Sequence, residues 1–510
     1  MTASAPSVAE STASSSTHDD HEPLSFLQPL GYSASSCGYC AEVKGARSRS
    51  KSSKSYGCWA HTLSASTYKA LLDRGWRRSG CYLYKPDLAR TCCPQFSIAL
   101  DTAAFKPSRS QRQVLQRFAA FLRDGDREGQ PGWGPPAEGS AEGGAGDAEM
   151  HATAAKPEGK KKDKGKSKAG VTDWGDAVHA GDWDRSSAEQ PFQHRFEYIL
   201  EPASFTEEKY ALFRRYQMEV HNEPASKVSA KGFRRFLVDT PLDIEPTHSS
   251  AYSYGSHHAL YRLDGKLIAF AVLDLLPQAV SSVYFVWDPA WAGMSLGKIS
   301  ALREAQMVRE MEAAGAWEGG EGRYMMGYYI DTCPKMRYKA DYQPSFLLDP
   351  EANTFVPFAQ CKPLLDSGTR ITSFSAPLPP STPSTAPVTG TSTSAPGATH
   401  SGPEVNSGGV HAADTADPSP GSDDDDDDDD DDDGGGGDAA FPSPPPPGCL
   451  DPSALPKDLL LSSLALERRA LMPLLLSEAW HDREMQREVR ELLACTGETL
   501  AGRIAVFMGM

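Results

Sequence analysis

A mixed α+β fold, with a small cysteine-bearing N-terminal domain set before a larger sheet-and-helix domain, is what this sequence predicts. Three observations predict it. Cysteines fall in two close pairs, Cys37/Cys40 and Cys92/Cys93. A strand, strand, helix, strand order can be read between residues 259 and 330. Long stretches rich in Gly, Pro, Ser and Asp separate these regions and carry too little apolar periodicity to pack a core.

Of the 510 residues, 44 are Gly and 39 Pro, which favours two folded regions joined by long tethers. The net charge of −17 is partly local: subtracting the eleven charges of the unbroken Asp423–Asp433 run leaves −6, so patches decide partners more than the total does. No 18-residue apolar span and no signal-peptide pattern occur, which points away from membranes and towards the cytoplasm, with the nucleus as a second location. Ten cysteines, unevenly spaced, do not form a secreted disulfide framework.

Residues 1–25 read as disordered and 26–124 as the cysteine-cluster domain. Cys37-Gly38-Tyr39-Cys40 is a turn able to aim two thiolates at one metal, and Cys92-Cys93-Pro94 supplies a second pair through irregular backbone. Metal binding at Cys37, Cys40, Cys92 and Cys93 stands beside the plainer reading of two unrelated thiol pairs. Between them, Arg74, Arg77 and Arg78 surround Trp76 and precede Lys85, a pattern suited to phosphate and base contact or to a solvated basic turn. Val114, Leu115, Phe118, Phe121 and Leu122 fall at helical spacing after the potential caps Ser108 and Ser110. Residues 125–190 read as a disordered insertion whose lysines, Lys160 to Lys168, are a solvated charge run first and an import or nucleic-acid signal second.

The larger domain is expected over 191–365. A helix is predicted over Phe205–Val220, then a strand ending at the Asp264-Gly265 turn, apolar strands over Leu267–Leu275 and Ser282–Trp287, a helix from Ser295 to about Ala314, and a strand over Arg323–Ile330. That last strand delivers Lys335, Arg337 and Lys339, which in extended conformation would share one side and suit an anionic ligand. Residues 366–450 form an acidic low-complexity insertion, and 451–510 recover helical periodicity through Leu460, Leu461 and Leu464 and again from Val489 to Ile504, docking on the larger domain.

The element order is that of an acyl-CoA acetyltransferase (GNAT) core, in which a helix N-terminus faces a splayed sheet. Ser295-Leu296-Gly297 is too short for a pyrophosphate cradle, so no nucleotide cofactor is expected. The chain also resembles the arginyl-tRNA–protein transferases. The likeness rests on CGYC at 37–40, DRGWRRSG at 73–80, YKP at 84–86, CCP at 92–94, LDGKLIA at 263–269, SSVYF at 281–285, SLGK at 295–298 and CPKMRYK at 333–339. It implies an N-terminal cysteine site holding an iron–sulfur cluster or zinc, and an acetyltransferase-like domain. The implied aminoacyltransferase moves arginine from arginyl-tRNA to the α-amine of an N-terminal Asp, Glu or oxidised Cys, marking proteins for ubiquitin-dependent degradation through the N-degron pathway. Asp331-Thr332 stands where the family has His-Ser, Asp349 where a Cys is usual, and Leu100 where an Arg is usual.

Aminoacyl-tRNA is an activated ester, so positioning dominates the chemistry. The donor guanidinium calls for a carboxylate, with Asp274 and Asp288 as candidates that could equally act as base or cap a turn. Tyr284 and Tyr338 would support the leaving 3′-hydroxyl or simply pack. Lys335, Arg337 and Lys339 are candidates for the acceptor's acidic side chain, Ser295 for a helix cap presenting N–H groups to phosphate, and Arg74, Arg77, Arg78, Lys85 and Lys298 for tRNA. A monomer is expected. Two other classes compete: an acetyl-CoA-dependent N-acetyltransferase, and a non-enzymatic metal-dependent RNA-binding protein or redox sensor.

Overall fold

Asp264 and Gly265 adopt φ of 51° and 82°, the left-handed pair that lets a two-residue turn follow the natural twist of its strands, and they close the hairpin at the heart of the larger of two sheets. The computed structural model describes residues 23–40, 48–126, 173–375 and 439–508. The Lys160–Lys168 cluster and the Asp423–Asp433 run lie outside the described residues, as do most of the stretches expected to be disordered.

In chain order the strands are β1 (Ser25–Ser35), β2 (Ser53–Thr62), β3 (Arg77–Ser79), β4 (Tyr82–Pro86), β5 (Phe96–Asp101), β6 (Phe196–Pro202), β7 (Glu245–Pro246), β8 (Ser253–Leu263), β9 (Lys266–Leu276), β10 (Ala279–Trp287), β11 (Arg323–Tyr329), β12 (Ser345–Leu348), β13 (Phe355–Pro357), β14 (Leu464–Glu467), β15 (Ala470–Pro473) and β16 (Ile504–Phe507). The α-helices are α1 (Ala65–Leu72), α2 (Arg109–Asp124), α3 (Trp174–His179), α4 (Glu207–Tyr216), α5 (Ala230–Phe233), α6 (Leu296–Ala313), α7 (Pro334–Arg337), α8 (Phe358–Asp366), α9 (Lys457–Ser462), α10 (Glu478–His481) and α11 (Arg483–Thr496).

The smaller sheet has the order β15-β14-β16-β1-β2-β4-β3, and the larger runs β13-β12-β5-β11-β10-β9-β8-β6 with β7 against β8. β9 is apolar on both faces because both are covered. Ala269, Ala271, Leu273 and Leu275 enter the core beneath α6, whereas Phe270 and Val272 pack with Leu212, Phe213 and Phe233 of α4 and α5. β10 and β11 pair in parallel over only three residue pairs, Ala279–Ser281 with Arg323–Met325, while the other edge of β11 pairs with β5 from Arg323 to Tyr329 across a bulge between Met325 and Tyr328. The sheet therefore forks below Ser281. The helix expected near Ser108 is α2, capped reciprocally by Ser108 and Gln111.

Three sequence expectations are corrected. Leu464 and Ile504 are strand residues, because α11 ends at Gly497, and β16 lies parallel to β1; the C-terminal segment thus completes the smaller sheet rather than docking as a helix on the larger domain. Lys335–Lys339 is not extended. Pro334 starts α7 and a 3-10 turn follows, so burial takes helical spacing: Met336 and Lys339 are buried, while Lys335 and Arg337 are exposed. Ser295 occupies the cap position of α6 in a left-handed conformation (φ 58°, ψ 45°) and its hydroxyl caps nothing, because the 3-10 turn Pro289–Met294 delivers the chain at that angle; its carbonyl accepts from Lys298 and Ile299.

The two sheets are fastened by adjacent residues of β3. Arg78 donates to both carboxylate oxygens of Asp274, at 2.9 and 2.6 Å, and to Ser256 Oγ at 2.8 Å. Arg77 donates to Ser281 Oγ at 3.2 Å and to the Gly327 carbonyl at 3.1 Å, spanning the fork from β10 to β11. A Cβ on Gly80 (φ 58°) would lie 2.1 Å from the carbonyl oxygen of Arg235, so glycine is required where this turn meets the segment after α5.

Replacing Arg78 by Ala strands a buried Asp274 carboxylate and should cost about 3–5 kcal/mol in urea unfolding. The double variant Arg78→Met/Asp274→Leu should recover most of that. A single-variant loss under about 1 kcal/mol would show that the pair is not uncompensated when broken.

Candidate metal centre and catalytic fork

Cys37 and Cys40 follow β1, and Cys92 and Cys93 lie in the turn after β4. The turn is held open by Asp87, whose carboxylate accepts from Tyr32 Oη at 2.7 Å and from the Ala89 amide at 3.0 Å, and by Arg370, which donates to the Leu88 and Thr91 carbonyls at 2.9 and 2.6 Å. The four sulfurs lie within 4.8 Å of one another, and Cys40 Sγ is 3.7 Å from Cys92 Sγ. A tetrahedron with metal–sulfur bonds of about 2.3 Å has edges of about 3.8 Å, so the donor set fits a single metal ion. Its chemistry agrees. A hydrogen bond from Cys93 chiefly, opposed by burial and assisted by the Tyr39 amide, pulls the Cys37 thiol down to about 5, while burial and the neighbouring thiols push Cys40 up to about 11. Four thiols crowded together hold one thiolate readily and resist more, and a cation resolves that conflict. Cys58 is buried and Cys81 half-buried, both outside this group.

The centre is also a floor for the CPKMRYK segment. Cys37 and Cys93 pack in one cluster with Tyr328, Ile330, Cys333 and Met336, so α7 lies on the cysteine site and turns Lys335 and Arg337 outward. Lys339 points inward and donates to the Tyr328 carbonyl at 2.8 Å, and Tyr338 is half-buried against the larger core.

The other sequence-predicted residues divide by burial. Arg77, Arg78 and Lys85 are buried and directed into the protein, which leaves none of the three on a surface open to tRNA; Lys85 donates to the Arg74 carbonyl. Arg74 and Lys298 are half-buried. Asp274 is consumed by Arg78, with nothing of it exposed. Asp288 is buried as fully as Asp274; it accepts from the Ala290 amide at 3.1 Å and lies 2.6 Å from Nη2 of Arg215, whose side chain reaches solvent. Tyr284 Oη accepts from Gln217 at 3.1 Å beneath α4. The departures from the family pattern are accommodated structurally. Asp349 accepts from the amides of Glu351, Ala352, Phe374 and Ser375; Asp331 accepts from Tyr329 Oη at 2.7 Å; and Leu100 is core between β11 and β12.

Two features escaped the reading of the sequence. On the α6 side of the fork, Glu304 is fully buried, accepts from Tyr324 Oη at 2.6 Å and from Ser300, and burial pushes its carboxyl above the usual range. The fork thus has a guanidinium on one face and a carboxyl on the other. A Glu inside the apolar stripe of α6 was the available signal. On the α4–α5 surface, Arg214, Lys227, Lys231, Arg234 and Arg235 are all exposed, and residues 224–238 contain no acid, a signal hidden by the overall negative charge.

Two family models match in chain order: "Arginine-tRNA-protein transferase, N terminus" over residues 35–113 and "Arginine-tRNA-protein transferase, C terminus" over 208–349. The chain is 30% identical to "Arginyl-tRNA--protein transferase 2" of Arabidopsis thaliana, the alignment covering 67% of this chain and 76% of that protein. It is 32% identical to "Arginyl-tRNA--protein transferase 1" of Drosophila melanogaster, over 66% and 82%. More distantly, it is 24% identical to an "Aspartate/glutamate leucyltransferase" of Chromobacterium violaceum, over 61% and 87%.

Single Ser replacements at Cys37, Cys40, Cys92 or Cys93 should each lower the metal content of anaerobically purified protein to well below one equivalent, whereas Cys58→Ser should leave it unchanged. Metal analysis with absorption spectroscopy reads the result. Retention of metal in all four variants would remove the centre from these residues.

Proposed function

The chain belongs to the arginine-tRNA-protein transferase family, and we propose from this that it transfers arginine from arginyl-tRNA to the α-amino group of proteins beginning with Asp or Glu, or with oxidised Cys, which marks them for ubiquitin-dependent degradation. The observation that carries the reading is the match of both family models in order, over regions that the Arg77–Arg78 fastening holds together.

The reaction forms a bond from the acceptor's α-nitrogen to the arginyl carbonyl carbon and breaks the ester to the tRNA 3′-oxygen, which departs with the proton the amine gives up. An α-amine titrates near about 7.7–8.0, so a useful fraction is already unprotonated at neutral pH and placement is the main requirement. We assign the fork to the donor end. Its acetyltransferase-like character is supported by the three-pair parallel pairing of β10 and β11 and by α6 joining them in the chain. Asp274 positions Arg78, which leaves Asp288, beside the solvent-reaching Arg215, to meet the donor guanidinium; Tyr284 supports that wall by packing. Lys335 and Arg337 read the acceptor's carboxylate. The exposed cations of the α4–α5 surface take tRNA phosphates, and Lys298 on α6 and Arg74, which donates to the Gly448 carbonyl, are separate half-buried candidates for the same role.

For the cysteine centre, the close sulfur spacing favours one tetrahedral ion such as zinc over a four-iron cluster, whose irons would each take a separate thiolate and spread them further. Bound there, the ion would cross-link the two turns under α7. No nucleotide cofactor enters the scheme. We extend the proposal to a monomer acting in the cytoplasm or nucleus; among the described residues no helix is long and apolar enough to cross a membrane.

Full-length protein given labelled arginine-charged tRNA and an Asp-initiated peptide should label the peptide, and acetyl-CoA should not replace the tRNA. Absence of label, or acetylation instead, contradicts the proposal. Within an active enzyme, Lys335→Met or Arg337→Met should lower kcat/KM for the Asp peptide by about one to two decades and for an Asn peptide far less, since each substitution removes a charge-assisted hydrogen bond. An unchanged Asp-over-Asn preference in both variants would remove α7 from acceptor reading. Replacing Lys231, Arg234 and Arg235 by Ala should make the salt dependence of tRNA binding shallower by about one unit of slope for each phosphate left without its cation; an unaltered slope returns these residues to a solvated surface.

A further inference from the structure

Outside the four-cysteine centre, one other pair of thiols meets among the described residues. Cys449 Sγ and Cys495 Sγ lie 3.2 Å apart, 46 residues from one another in sequence. Among the described residues no His, Asp or Glu joins them in a ligand group, so the site offers two soft donors and no more, which suits bond formation between the sulfurs better than metal capture. Their backbones are already held side by side: the Leu450 amide donates to the Ala494 carbonyl at 3.0 Å, and Arg490 donates to the Pro452 carbonyl at 3.2 Å.

Cys449 belongs to a strap that crosses the smaller sheet on its way to α11. The Ala439 amide donates to the Tyr32 carbonyl at 3.3 Å, and Phe441 packs edge-on against Tyr32 and Tyr56, with ring centroids 6.2 and 6.0 Å away. Cys495 is buried in the last turn of α11, and its carbonyl accepts the indole N–H of Trp76 at 3.2 Å. Trp76 immediately precedes Arg77 and Arg78, so a single side chain separates the thiol pair from the fastening between the sheets. Burial would raise the Cys449 thiol, but the hydrogen bond with Cys495 and the positive charges of Lys85 and Arg74 outweigh it and hold this thiol below its usual range.

We propose that Cys449 and Cys495 form a reversible disulfide by exchange with a small-molecule disulfide such as oxidised glutathione, locking the strap to α11. Cys449, the more exposed of the two, attacks as thiolate and forms a mixed disulfide, releasing one small thiolate; Cys495 then attacks Cys449 Sγ and releases the second. Two protein thiols are oxidised, one small disulfide is reduced to two thiols, and the two protein protons pass to the departing thiolates. Its chemistry uses neither the arginyl ester nor the four clustered cysteines.

Reduced, metal-loaded full-length protein is incubated with excess oxidised glutathione, alkylated, digested and mapped by mass spectrometry, with thermal unfolding run in parallel. A cross-linked peptide joining Cys449 to Cys495 should appear, reverse with dithiothreitol, and raise the thermal midpoint by several degrees, because the bond closes a long loop. Cys449→Ser should abolish both the cross-link and the shift while the reduced protein keeps its midpoint, which separates loss of the bond from misfolding of a variant at the buried Cys495. The proposal is overturned if both thiols remain free for alkylation, or if Cys449 accumulates only as its glutathione mixed disulfide.

Discussion

Two neighbouring guanidiniums buried at the junction of the sheets set the terms for the rest of the structure. Arg78 and Asp274 are both withdrawn from water, and neither charge can be left alone in that interior without a penalty of several kcal/mol. The pair gives little net stability over well-packed apolar residues; what it imposes is register. Arg78 must find Asp274 on β9 while Arg77 finds Ser281 on β10 and Gly327 on β11, and only one placement of β3 satisfies both.

From that placement follows the position of everything the smaller sheet carries. Its turns bring the four cysteines under β11 and α7, and its strands on one side, β15, β14 and β16, come from the C-terminal end of the chain, with β16 beside β1. The larger sheet is thus inserted between the two halves of the smaller one. Trp76 touches α11, and the next residue, Arg77, spans the fork, so α11 and the fork are joined through packed side chains.

What was legible in the sequence had local physical causes. The Asp264-Gly265 turn, the apolar run of β9, the Ser108 cap of α2 and the CxxC turn each announce themselves within a few residues. What was not legible depends on contacts between distant residues. An Arg beside an aromatic looks alike whether it faces phosphate or Asp274, so in the sequence Arg77 and Arg78 resemble tRNA contacts, whereas in the fold both are buried at the fastening. Alternation at Lys335, Arg337 and Lys339 resembles a strand because spacing of two says nothing of the helical turn that Pro334 begins. Ile504 continues the period of α11 past Gly497, and only its pairing with Ser25 shows it to be a strand.

The buried fastening makes the two sheets one cooperative body. Native-state amide hydrogen exchange at increasing urea measures this directly, comparing Tyr56 and Cys58 of β2 with Ala271 and Leu273 of β9. Amides of both sheets should open with the same free energy and converge on the global unfolding value. Opening of the β2 amides at markedly lower free energy, with β9 still protected, would contradict it.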